Sequence, residues 1–243
     1  MKQTVFEIIE NSRIAEGIFR LRMSGNTAEI TAPGQFVNLK LEGCYLRRPI
    51  SVCDWTDDEL TLIYKVLGRG TEAMTAYLPG KQMDVLTGLG NGYDMTKSGV
   101  SPLLVGGGAG IPPLYGLAKH LVAAGKHPTA VLGFNSFSDS FYIEEFKALG
   151  IPVHAASADG SIGTKGFVTD AMAGLSCDYF YTCGPEAMLK AVFKATDCSG
   201  QFSFEERMGC GFGACMGCSC KTVTGNKRIC KEGPVLEKEE ILW

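Results

Sequence analysis

The chain has 243 residues, of which 45% are hydrophobic and 20% charged, so it can bury one large core or two medium ones and is not a disordered segment. Lys plus Arg number 23 against 26 Asp plus Glu, a formal charge of −3. That excludes the basic field a nucleic-acid backbone requires.

The first residues carry no signal-peptide pattern, because Glu7, Glu10 and Asn11 interrupt the apolar positions. From there to about residue 97, short β-branched and apolar runs (VFEII, IFRLRM, QFVNLKL, RPISVC and LTLIYKV) alternate with turn-prone SGNT, APG and TDDE. The spacing predicts a small antiparallel β-barrel over residues 1–98. Within it, Arg47, Arg48, Pro49, Ile50 and Ser51 form a cationic, hydroxyl-bearing edge, and Gly68, Arg69, Gly70 and Thr71 a second, flexible, donor-rich turn. Arg48 suits a pyrophosphate and Ser51 an isoalloxazine or ribityl oxygen, although arginines on strands are most often simply solvated.

At Ser101 the pattern changes to strand, glycine turn and helix. Ser101–Leu117 is apolar, but its four glycines in five positions and three prolines make it too short and broken to cross a bilayer. TAVLGFN, IPVHAAS and CDYFYTCG read as further strands, and FYIEEFKAL, GFVTDAMAG and PEAMLKAVFKA as helices. This alternation predicts an α/β domain over residues 99–199, with a parallel sheet covered on both faces.

Gly106, Gly107, Gly108 and Gly110, followed by Pro112 and Pro113, stand between a strand and a helix. Glycines there let the backbone approach a diphosphate, with the helix N-terminus as donor. GGGAGIPP is not the G-x-G-x-x-G fingerprint, and a ligand-free glycine turn is the competing reading. Cys183 and Gly184 end the last strand, where a small soft residue can approach a nicotinamide; a buried filler is the alternative. FNSFSDSFYIEE, after the second strand, has no Lys or Arg for a 2′-phosphate, which favours NAD over NADP.

From Gln201 regular structure is expected to stop. Five of the ten cysteines fall between residues 210 and 230, a concentration that metal ligation in a reducing cytoplasm explains better than disulfides do. Cys210, Cys215, Cys218 and Cys230 are spaced C-x4-C-x2-C-x11-C, the plant-type [2Fe–2S] pattern. A [2Fe–2S] subdomain is therefore expected over residues 200–243. Gly209, Gly211, Gly213 and Gly217 let the backbone aim N–H groups at the cluster's sulfurs. Cys220 gives a poorer spacing than Cys218 and is read as a non-ligand, while zinc remains the alternative metal. Cys44, Cys53, Cys177 and Cys198 are read as small core residues, and His120, His127 and His154 are too dispersed to bind a metal. A hydride carrier and a one-electron cluster in one chain call for a flavin between them, with no acid–base residue needed.

These residues resemble the electron-transfer subunit of class 1B dihydroorotate dehydrogenase, within the ferredoxin–NADP reductase superfamily. The likeness lies in RRPIS at 47–51, GRGTE at 68–72, GGGAGIPPL at 106–114, CGPEAML at 183–189 and SFEERMGCGFGACMGCSCK at 203–221. It implies FAD on Arg48, Pro49, Ile50, Ser51, Ile63, Tyr64, Lys65, Gly70 and Thr71, and NAD on Gly107, Gly108, Gly110, Cys183 and Gly184. The four cysteines named above are the implied cluster ligands. It further implies an FMN-containing catalytic partner, two subunits of each kind in a heterotetramer. Electrons would pass from dihydroorotate through FMN, [2Fe–2S] and FAD to NAD+ in pyrimidine synthesis. GFNSFSDS departs from the family's GARTKDD-like segment, and the gap before Cys230 is short for the family. The alternatives are a subunit of another ferredoxin–NAD(P) reductase-like or sulfide dehydrogenase complex, and a non-catalytic metal-binding regulatory module.

Overall fold

Alternating apolar positions build the first layer of the molecule. In the computed structural model, which describes residues 1–243, strands β1 (Lys2–Ala15), β2 (Ile18–Ser24), β3 (Phe36–Leu39), β4 (Arg48–Trp55) and β5 (Glu59–Lys65) are followed by helix α1 (Arg69–Met74) and strand β6 (Gln82–Leu89). The six strands close a barrel in the order β1-β2-β5-β4-β3-β6. Phe6, Ile8, Leu21, Met23, Leu60 and Leu62 point inward and are buried, as period-two alternation requires. Two elements differ from the sequence reading. β6 closes the barrel although Asp84 and Gly88 dilute its apolar pattern. The GRGT segment is not a flexible turn but the first turn of α1, fastened by Thr71 Oγ1, which accepts the amides of Leu67 and Gly68 at 2.9 and 3.3 Å.

The second layer comprises β7 (Leu103–Gly107), α2 (Ile111–Ala123), β8 (Thr129–Phe134), α3 (Ile143–Ala148), β9 (Val153–Ser157), β10 (Thr164–Lys165), α4 (Val168–Ala171), β11 (Phe180–Cys183), α5 (Glu186–Ala195) and β12 (Gly200–Ser203). One sheet face packs on α2 through Leu104, Leu132 and Tyr181. The other packs on α4 and α5 through Val105, Val131, Phe180 and Phe202. Phe180 and Phe202 meet edge to face at 5.2 Å. Phe180→Ala removes a fully buried ring and is expected to cost about 3–5 kcal/mol in denaturant unfolding.

Regularity does not stop at Gln201, because Gly200–Ser203 forms β12, parallel to β11. Beyond it lie a small hairpin, β13 (Ser219–Thr222) with β14 (Gly225–Arg228), and β15 (Val235–Glu237). β15 adds antiparallel to β12, making a seven-stranded sheet, β10-β9-β8-β7-β11-β12-β15. The cysteine tail is thereby tied at both ends to the nucleotide sheet. Of the cysteines read as core residues, Cys53 is fully buried. Cys177 and Cys198 are instead half-buried, with their thiols 3.0 Å apart.

Helix α2 also packs on the barrel. A Cβ at Gly116 would stand 2.5 Å from the Cys53 carbonyl oxygen, so glycine lets α2 touch β4. Lys119 Nζ pairs with Asp54 at 2.6 Å, and His120 stacks on Trp55 at 4.8 Å. The helix that begins at the glycine turn is thus braced on the strand that begins with Arg48-Pro49-Ile50-Ser51. No helix is long and apolar enough to cross a membrane.

Candidate functional site

The sheet ladder opens where the first cluster of sequence candidates lies. β4 and β5 pair from Trp55/Leu60 to Val52/Leu62 and no further. Arg48–Ser51 pair only with β3, and Ile63–Lys65 only with β2, leaving a slot between two strands with main-chain groups along its walls. Arg48 lies across the mouth of α1: its Nε is 2.7 Å from the place a Cβ on Gly70 would occupy. Its guanidinium donates to the Leu46 carbonyl at 2.7 Å and to Cys44 Sγ at 3.4 Å. Arg48 pairs with no carboxylate, so its charge is available to an anion.

Arg47 is different. It bonds Asp84 Oδ1 at 2.9 Å, the Asp84 carbonyl at 3.1 Å and the Asn38 carbonyl at 3.3 Å, so it braces the barrel and drops out of the cationic edge. Tyr64 turns its ring into the barrel, where its hydroxyl donates to Asn11 Oδ1 at 3.0 Å. Burial raises that phenol to about 12, so only its main chain is available to the slot. Ile63 packs between the layers with Ile18, Cys53 and Ile111.

The glycine turn and the Cys183-Gly184 pair converge. The chain runs β7, β8, β9 to one side of the sheet and returns to place β11 on the other side of β7. That reversal opens a crevice at the carboxyl ends of β7 and β11, the usual ligand position in such sheets. Cys183 is paired in register with Gly106. A Cβ at Gly110 would lie 2.1 Å from the Cys183 carbonyl oxygen, and one at Gly184 would lie 3.2 Å from the Gly107 amide nitrogen. Gly108, at φ +51°, faces open space. The turn Gly108–Gly110 also packs on β5, bringing the crevice to the slot.

Burial pushes the Cys183 thiol up to about 12 against the opposing pull of Ser203 and Tyr93, so it stays a neutral thiol at the crevice floor. Tyr93, Ser203 and Met188, which packs against Gly107 and Gly184, were not legible as site residues. Tyr93 lies in a stretch without a motif; Ser203 opens SFEERMGCGFGACMGCSCK, where only the cysteines and glycines stood out, and Met188 sits inside CGPEAML, where only the cysteine and glycine did.

The four cysteines of the tail come together as two pairs. Cys210 and Cys215 interact through their thiols, as do Cys218 and Cys230. No three His, Cys, Asp or Glu side chains converge on one point anywhere in the chain. Two thiols and then two more is the donor set of a binuclear cluster, in which each iron takes two protein sulfurs and bridging sulfides complete its shell. The amides of Ala214, Phe212 and Cys215 point at Cys210 Sγ at 3.2, 3.5 and 3.5 Å. Burial opposes ionisation of that thiol, but these amides and Cys215 bring it down to about 6. A cradle that already stabilises sulfur charge fits a cluster of thiolates and sulfides.

Gly211 and Gly213 adopt φ +80° and +91° to make this curl. Arg228 closes it, donating to the Gly213 carbonyl at 2.7 Å while its guanidinium pairs with Glu232. Cys218 and Cys230 are buried against Phe36 and Leu89 of the barrel, whereas Cys215 is exposed. Cys220 sits on the hairpin opposite Lys227, outside both pairs.

Residues 205–242 match the iron–sulfur cluster binding domain of dihydroorotate dehydrogenase B, and residues 104–194 match the oxidoreductase NAD-binding domain. The chain is 44% identical to the dihydroorotate dehydrogenase B (NAD(+)) electron transfer subunit of Geobacillus sp. (strain WCH70), over 100% of this chain and 99% of that one. It is 43% identical to the same subunit of Lysinibacillus sphaericus (strain C3-41), over 98% of each chain. Among solved structures, a chain of the NADH-dependent reduced ferredoxin-NADP oxidoreductase superposes with a TM-score of 0.89 at 31% identity, covering 98% of this chain and 90% of that one. Phthalate dioxygenase reductase shares the fold at a TM-score of 0.66 and 19% identity, covering 79% of this chain and 63% of that one. With slot, crevice and paired thiols in one molecule and such identity along its whole length, the chain belongs to the family of dihydroorotate dehydrogenase B (NAD+) electron transfer subunits.

Proposed function

We propose that this chain carries electrons from the FMN-containing catalytic subunit of a dihydroorotate dehydrogenase to NAD+, in a cytoplasmic complex of two subunits of each kind that serves pyrimidine synthesis. The observation that carries the proposal is the adjacency of three sites: the glycine turn packs on β5 at the slot, and the buried thiol pair packs on the same barrel. FAD supplies a carrier that exchanges electrons singly or as hydride, and [2Fe–2S] one that exchanges them singly.

The residues have separate tasks. Arg48 offers its unpaired charge to the pyrophosphate, with Gly70 and Thr71 shaping the turn beside it. Pro49, Ile50 and Ser51 line one wall of the slot and the main chain of Ile63, Tyr64 and Lys65 the other. Gly107, Gly108 and Gly110 admit the NAD diphosphate to the start of α2, and Cys183 and Gly184 leave room for the nicotinamide. Cys210, Cys215, Cys218 and Cys230 would hold the cluster, and the exposed Cys215 would be the ligand open to a partner. In domain terms, residues 1–98 hold FAD, 99–199 hold NAD and 200–243 hold the cluster.

The test is anaerobic co-purification with the FMN subunit, followed by assays for iron, sulfide and flavin and for dihydroorotate-dependent reduction of NAD+. About two irons and one FAD per chain are expected, with NAD+ reduced by the assembled complex. An assembled, fully loaded complex that reduces no NAD+ with dihydroorotate sinks the proposal. It would favour a subunit of a ferredoxin–NAD(P) reductase-like or sulfide dehydrogenase complex, a reading supported by the likeness to the ferredoxin-NADP oxidoreductase chain. A colourless protein without flavin would instead indicate a metal-binding regulatory module.

A further inference from the structure

Asn38 sits in β3 directly across the ladder from Pro49. Its neighbours Val37 and Leu39 point into the barrel core, so Asn38 and Phe36 point outward, and Phe36 meets Cys218 and Cys230. Asn38 is 1% exposed. A side-chain amide so deeply buried is costly unless its hydrogen bonds are used. Only one end is used within the chain: Nδ2 donates to the Cys210 carbonyl at 3.2 Å, while Oδ1 is buried without a partner. Packing alone favours an apolar residue of this size, so the donor is the feature the site retains.

The cluster loop is shaped to receive that donor. A Cβ on Gly211 would fall 2.3 Å from Asn38 Nδ2, so only glycine lets the amide come this close. The Cys210–Gly211 peptide is planar; fixing its carbonyl fixes the direction from which the following amides curl onto Cys210 Sγ. The backbone of Asn38 is itself held, because Arg47 donates to its carbonyl and is anchored by Asp84.

We infer that Asn38 is a positioning residue for the cluster: it ties the Cys210 peptide to the barrel strand beside the flavin slot and holds the N–H groups that set the cluster's reduction potential. This rests on the assignment of Cys210, Cys215, Cys218 and Cys230 as ligands. Amides aimed at cluster sulfurs stabilise the charge added on reduction and raise the potential. Releasing the peptide therefore lowers it.

The test compares Asn38→Asp, which keeps the shape but sets a carboxylate against the Cys210 carbonyl, with Asn38→Ala, which removes the tie. Both are prepared anaerobically as the FAD- and cluster-loaded chain and titrated with the cluster followed by electron paramagnetic resonance. Iron, sulfide and FAD contents close to the parent's are expected. At a fixed potential the reduced-to-oxidised ratio should fall about tenfold, or 59 mV for one electron. Reduction of FAD by NADH should change by less than about twofold, because the crevice and slot are untouched. An unmoved potential in variants that keep their cluster overturns the inference. Loss of iron from both variants with FAD retained also overturns it, since Asn38 would then be a structural brace. A parent chain with no cluster sinks the ligand assignment instead.

Discussion

Cys215→Ala is expected to yield a folded chain that keeps FAD but no stable cluster. Cys215 is the exposed member of its pair, so its loss opens no cavity in a core and, measured against the cluster-free parent, should change unfolding free energy by less than about 0.5 kcal/mol. Its consequence is chemical: Cys210 alone cannot complete the protein's share of one iron's shell. Electron exchange with the partner subunit should fall by at least about 10³-fold, while NADH-driven reduction of FAD stays within a few-fold of the parent. Iron and sulfide assays read the first effect and stopped-flow flavin absorbance the second. Normal partner-dependent turnover in cluster-free protein would show that the thiol pairs are not on the electron route.

Gly110→Ala is expected to damage the other end of that route. The added methyl would stand 2.1 Å from the carbonyl oxygen of Cys183 and 2.5 Å from the amide of Gly184. Both are backbone atoms, the first on the last residue of the β7–β11 ladder and the second on the residue that follows it, so the turn has to move away from the crevice. Displacement of a reacting geometry by about 1 Å costs on the order of 10² in rate, and kcat/KM for NADH oxidation should drop by that factor. Overpacking of this kind costs about 1–3 kcal/mol of stability. Gly108→Ala separates the two causes. Its Cβ meets nothing within 4 Å, so the protein loses only the left-handed backbone penalty of about 1–2 kcal/mol. Weaker NAD binding in the Gly108 variant then reports a diphosphate passing over the turn. Unchanged NADH kinetics in both variants would remove the turn from the nucleotide site.

Much of the site was legible because its chemistry is encoded locally. The thiol spacing is confined to residues 210–230, and the glycines between strand and helix and the RPIS segment to a few positions each, so local geometry links such positions in any fold that keeps them. What holds each neighbour in its role was not legible. The sequence singled out Arg48 for a pyrophosphate but did not show the partner of Arg47: Asp84, brought alongside from β6, neutralises Arg47 and leaves Arg48 without a carboxylate. Cys177 and Cys198 looked like isolated fillers until the loops before β11 and β12 set their thiols face to face.

The sequence by itself determined the inventory: a barrel, a parallel nucleotide sheet, and four thiolates spaced for a binuclear cluster. Periodicity and spacing are properties of short segments, so they survive without knowledge of the fold. Only the tertiary structure decided how the pieces face one another. It splayed β4 from β5, set Gly110 against Cys183, wove the tail into the sheet through β12 and β15, and pressed Asn38 onto the Cys210 carbonyl. The last three join residues far apart in the chain, and all four are fixed by close packing and strand pairing that a linear pattern does not contain.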